Sequence, residues 1–162
     1  MVTSQDTAPS GGRSWAGRPL WQIGLGAALV AAAASVIVYL VARAAGVPME
    51  LTGVFENELA RMPVQDMAFA ALLEGGIAGT ALATVCRRWA RRPRSYFVAL
   101  AMTGLIASFA LPITSDASTA TKAVLSISHV IVAVIVVPPL ALALPRGTAQ
   151  HDNAGAVGRQ RA

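Results

Sequence analysis

The sequence predicts an all-α fold, a bundle of four transmembrane helices with both termini on the cytoplasmic side. Three observations carry that prediction. Hydrophobic residues make up 55% of the 162 and charged residues only 13%, at a mean hydropathy of +0.58, where soluble domains carry about 25% charged residues. Four apolar runs reach or approach roughly 20 residues, the length a helix needs to cross a hydrocarbon core about 30 Å thick. Nearly all the basic residues then fall at one end of those runs.

The first run is residues 21–42, WQIGLGAALVAAAASVIVYLVA. Its arginine-bearing start and the Ala42-Arg43-Ala44 that follows resemble a signal peptide with its cleavage site. The apolar stretch is longer than the roughly 7–15 residues of a signal core, so it reads as an uncleaved first span. A polar loop follows, AAGVPMELTGVFENELARMPVQD. Within it Leu51, Val54, Phe55, Leu59 and Met62 recur at helical spacing between Pro48 and Pro63, which predicts a short amphipathic helix on the bilayer surface or capping the bundle.

The second span is 67–86, rich in glycine, and the link RRWARRPR follows it. The third is 96–113, somewhat short. The fourth is 120–144, with Pro138-Pro139 expected to end or kink it near its close. These spans form one membrane domain, 20–145. The ends, 1–19 and 146–162, are small and polar and are expected to be disordered tails.

Charge sets the orientation. Arg13, Arg18, the five arginines Arg87, Arg88, Arg91, Arg92 and Arg94, and then Arg146, Arg159 and Arg161 lie on one side of the spans. That is ten of thirteen basic residues, leaving Arg43, Arg61 and Lys122 on the other. Positive residues favour the cytoplasmic side, which places both termini and the RRWARRPR link in the cytoplasm and the chain in the plasma membrane. RRWARRPR is also suited to anionic lipid head groups or to a partner. The net charge of +5 and the pI of about 10.7 follow from this topology and do not point to nucleic acid; aromatics are few and no nucleic-acid motif is present. A lone cysteine, Cys86, excludes an intrachain disulfide and a cysteine-based zinc site.

One charge stands where lipid is expected: Glu74, in FAALLEGGIAGTALA. Around it Ala71, Gly75, Gly79 and Ala83 recur every fourth residue, a stripe that lets helix backbones approach closely in a membrane. Glu74 borders the stripe, one residue or about 100° away, so it faces a neighbouring helix. An ionised group at that depth costs about 2.5–3.5 kcal/mol and persists when paired, protonated or facing the bundle. At 1.5 Å per residue Glu74 lies about 10 Å and His129 about 9 Å from the same membrane face. Lys122, Ser126 and His129 share one face of the fourth span. The sequence therefore suggests a polar cavity opening outward. Glu74, His129 and Asp66 are its acid–base candidates, and Lys122, Ser126, Asp116 and Tyr39 its lining, with Ser35 and Ser108 at compatible depth. Two candidate ligands are too few for a metal site, and no cofactor is indicated.

The order of features resembles a family of small four-helix integral membrane proteins of unknown function found in actinobacteria. An arginine-bearing start and an alanine-rich first span lead to a glycine-rich second span holding Glu74 and an arginine-rich link. DASTATKAVLSISHVIVAVIVVPPL closes the pattern, with Thr121, Lys122, Leu125 and His129 at its core. The resemblance implies a plasma-membrane location and brings no activity, cofactor or catalytic residue.

Three functions stay open on these residues. The first is a non-catalytic accessory protein that binds membrane lipids and a membrane-protein partner. The second is a small enzyme doing acid–base chemistry on an isoprenoid or other lipid-like substrate. The third is a proton-coupled transporter, which with four spans requires a homo-oligomer. No span has a continuous polar face, which speaks against a channel.

Overall fold

The computed structural model describes residues 18–52 and 59–146. The tails expected to be disordered lie outside the described residues except for positions 18, 19 and 146. Four spans follow one another. The first is α1 (Leu20–Ala44). The second, Val64–Trp89, joins α2 (Val64–Ala71), a π-helical segment (Leu72–Ala78) and α3 (Gly79–Trp89). The third, Pro93–Thr114, joins α4 (Pro93–Ser108) and α5 (Ala110–Thr114). The fourth is α6 (Thr119–Ala143). Each is long and apolar enough to cross a membrane.

The second and third spans exceed the predicted runs at both ends, because helix ends here carry polar residues that an apolar count omits. Pro63 precedes α2 in extended backbone and Pro93 occupies the first turn of α4. A proline there has φ already set for helix and gives up only an amide that has no helical partner. Ser118 starts α6: its Oγ accepts the Thr121 amide at 3.1 Å, satisfying one of the free donors of a helix start.

Of the two outcomes expected at Pro138-Pro139, an end does not occur: α6 runs through both to Ala143, beside the expected close at 144. Each removes one amide near the helix end, while Val136, Leu140 and Ala141 around them are buried and hold the last turn against its neighbours. Nor is the loop after α1 a surface helix at its flanks. Strands β1 (Glu50–Thr52) and β2 (Leu59–Arg61) pair antiparallel, with Glu50 opposite Arg61 and Thr52 opposite Leu59. Residues 53–58, the middle of the expected helix, lie outside the described residues. Tertiary contacts decide this local choice. Met49 turns the chain at φ 51° with its side chain fully buried, and its carbonyl accepts the Met62 amide at 2.9 Å.

Beyond Leu20 and Ile23 the buried face of α1 is mostly small: Gly24, Ala28, Ala31, Ala32, Ser35 and Ala42, with Tyr39 the exception. It lets α1 lie close against both α6 and the second span, as small faces do within membranes. The third span packs chiefly on α3 and α6. Apolar burial falls into two clusters. One, at the arginine-bearing end, joins Leu20 and Ile23 of α1 with Cys86, Phe97, Val136 and Leu140. The other, at the hairpin end, joins Tyr39, Ala42, Met49, Met67 and Leu125. Large apolar side chains such as Leu29, Ile37, Phe69, Ile106 and Val134 cover the outside, an arrangement suited to lipid and not to water.

Candidate functional site

Between the two clusters lies the polar layer. Glu74 sits inside the π segment Leu72–Ala78, with Gly75 and Gly76 after it. A π turn closes i→i+5 bonds, inserts one residue more than an α turn, and is frequent at functional sites. Here it comes with close approach on two sides. A Cβ on Gly75 would stand 2.9 Å from Val136 Cγ2 and 3.3 Å from Val132 Cγ1; on Gly76 it would meet Ala28 Cβ at 3.0 Å. The small-residue stripe is therefore used within the chain, against α6, with Gly79 also facing Val136 and Leu140.

That approach brings Glu74 to His129. His129 Nε2 and Glu74 Oε2 are 3.6 Å apart, with the side chains 22% and 54% exposed. On the other side of the ring, His129 Nδ1 lies 2.8 Å from the Leu125 carbonyl oxygen. A carbonyl only accepts, so Nδ1 carries the proton. Nε2 is then either a lone pair in neutral histidine or an N–H in the imidazolium. A bare carboxylate facing a bare Nε2 would set two acceptors against each other. The contact is therefore favourable when a hydrogen lies between Nε2 and Oε2. Among the described residues this is the one carboxylate–cation pair.

Glu74 and His129 both line two separate cavities. One, of about 360 Å³, lies between the second, third and fourth spans, with Phe97, Leu100, Gly104, Ser108 and Val136 among its walls. A Cβ on Gly104 would meet nothing within 4 Å. The other, of about 240 Å³, runs toward the hairpin end past Ser35, Met62, Asp66, Leu125, Pro112 and Ser128. Both are mostly apolar, and the pair stands where they meet.

The sequence-predicted residues divide accordingly. Asp66 lines the hairpin-end cavity with Glu74 and His129, and Ser35 lies there too; Ser108 lines the larger one. Lys122, Ser126, Asp116 and Tyr39 line neither cavity. Lys122 Nζ instead donates to the Ile113 carbonyl at 3.1 Å, and Tyr39 donates to the Met62 carbonyl at 2.8 Å, tying α1 to the hairpin. The buried face of α6 runs through Thr121, Leu125, Ser128, Val132 and Val136, one residue out of phase with the predicted polar face. His129 lies at its edge. Ser128, unremarked in the sequence, is the wall residue this shift brings in; its spacing from Leu125 and Val132 was the available signal. Cys86 is buried in the arginine-end cluster. No group of three or more potential metal ligands occurs among the described residues.

Residues 16–146 match the model of a family of unknown function. No curated protein and no solved structure matches the chain.

Proposed function

The chain belongs to that family, DUF6069, and from this membership and the four apolar spans we propose that it is a plasma-membrane protein that binds a small lipid-like molecule. The head of that molecule would hydrogen-bond at Glu74 and His129, and its apolar body would occupy the cavity of about 360 Å³. We place both termini and the arginine link in the cytoplasm on the strength of the charge distribution, so the hairpin end faces outward. The role is accessory, ligand-holding without bond-making.

One observation carries this reading: a titratable pair at the wall of an apolar cavity whose volume falls in the range of ligand sites, about 300–1,000 Å³. Few converging polar groups in a greasy chamber suit an amphiphile better than a sugar or nucleotide. Gly104 offers the test. A Cβ there meets no atom within 4 Å, so Gly104→Leu adds bulk at the chamber wall. Native mass spectrometry from lipid nanodiscs is expected to show a co-purified small molecule on the wild type that is absent from Gly104→Leu. The same ligand on both proteins, or none on a well-folded wild type, overturns the assignment.

A second reading has its own observation. Asp66, Glu74 and His129, the acid–base candidates, share the hairpin-end cavity. That favours an enzyme acting on an isoprenoid-like substrate, with Glu74 or Asp66 as acid and His129 as base. Turnover surviving in Glu74→Gln would exclude that role.

A further inference from the structure

We propose that the hairpin-end cavity is a hydrated passage that carries protons between Asp66 and the Glu74–His129 pair. The proposal deepens the reading above, because it rests on that pair sharing one proton. It adds a route and a direction.

Two buried hydroxyls point to water. Ser35 is 1% exposed and Ser128 5%. Their Oγ atoms have no hydrogen-bond partner in the protein, and both residues line the cavity of about 240 Å³, one on α1 and one on α6. Buried polar atoms are rarely left unsatisfied, and ordered water is the usual partner where even a mostly apolar cavity offers room and a few polar groups together. The cavity far exceeds the volume of one water. With Asp66, Glu74 and His129 on its walls it offers the two to four polar partners that a bound water needs. Asp66 lies eight residues before Glu74, about 12 Å along a helix, too far for direct transfer and suited to a relay.

The larger cavity differs. Its hydroxyl, Ser108, already donates to the Leu105 carbonyl at 2.7 Å, and the rest of its wall beyond the pair is apolar. It provides no unfilled hydroxyl to anchor water. Protons therefore reach the pair from the hairpin side, while the ligand chamber stays dry. The other charged or titratable groups near the passage are already engaged: Tyr39 on the Met62 carbonyl and Lys122 on the Ile113 carbonyl. The third span brings no acidic or histidine side chain to the cavity. The step balances simply. The O–H of a protonated Asp66 breaks, each water along the passage accepts one proton and releases another, and an O–H or N–H forms at Oε2 or Nε2; the reverse relay restores Asp66.

The chain has two histidines, His129 and His151, so His151→Gln leaves His129 as the sole ring signal. In liposomes, solid-state ¹⁵N spectra of ring-labelled protein would read both the protonation of Nε2 and its exchange with water. Asp66→Asn and the double variant Ser35→Ala with Ser128→Ala are each expected to slow that exchange at least tenfold. Ser126→Ala, a hydroxyl on α6 outside both cavities, should leave it unchanged. The Nδ1 signal bonded to Leu125 reports that each variant is folded. Should the serine pair fail that check, Ala70→Leu fills the same passage and is expected to slow exchange equally. Exchange unaltered in the folded passage variants, or slowed as much by Ser126→Ala, overturns the route. A His129 ring that never shares a proton with Glu74 at any pH overturns the pair reading itself, whatever the exchange rates.

Discussion

Glu74→Gln and Glu74→Ala separate the charge of the carboxylate from the shape of its contact with His129. At 3.6 Å opposite unit charges attract by about 5 kcal/mol at an effective dielectric near 20. The Glu74 side chain is 54% exposed, so solvent screens most of that attraction and a pair this open contributes about 0.5–1 kcal/mol. Glutamine keeps the shape and brings an amide N–H that can donate to Nε2 of neutral His129 while Nδ1 stays on Leu125, so the expected loss is a few tenths of a kcal/mol, roughly the charge part of the pair. Alanine removes the partner altogether, and the expected loss is about 1 kcal/mol. The assay is unfolding by a denaturing detergent, followed by tryptophan fluorescence. An alanine variant as stable as the glutamine one would refute a stabilising contact between Glu74 and His129.

Two further substitutions probe how the site is held. Tyr39→Phe removes the donor to Met62 across 2.8 Å. It is expected to cost about 1–2 kcal/mol and to speed amide hydrogen exchange over residues 59–62; protection as strong as in wild type would show that the tether is idle. Gly24→Val would drive a Cβ into Thr80 Oγ1, whereas Gly26 opens on free space. The first should cost about 1–3 kcal/mol or more by overpacking and the second much less, in the same unfolding titration. Equal effects would mean that α1 and the second span are not in close contact at Gly24.

The spans were legible because lipid demands long apolar runs and leaves little else to decide. Their ends were less so: Pro63 and Ser118 fix helix starts in residues that hydropathy scores as polar. The hairpin was missed because Leu51, Leu59 and Met62 fit a helical period locally. Met49, buried at an unusual φ, selects strands through contacts across 13 residues, a long-range fact. Counting residues from the span ends puts Glu74 and His129 at one depth, and the structure brings them to 3.6 Å; Asp66 was read at the mouth of the second span. Lys122 and Ser126 stand one residue, about 100° on a helix, from the buried face of α6 and line neither cavity. Which of two adjacent faces is buried depends on the neighbouring helices, and a single apolar helix does not announce it.

The same neighbours explain why a carboxylate stands directly before two glycines. Gly75 admits Val132 and Val136 of α6, and Gly76 admits Ala28 of α1. Side chains at those positions would hold both helices away, and His129, on α6 beside Val132, would move out of reach of Glu74. Glycine weakens a helix interior by up to about 1 kcal/mol, and two in succession coincide with the π segment. That local weakness has a return in position: it seats the carboxylate against an imidazole whose other nitrogen is already fixed. The charge and the glycines are thus one device. Gly75→Leu, which leaves both Glu74 and His129 chemically intact, should abolish their proton sharing as thoroughly as Glu74→Gln does.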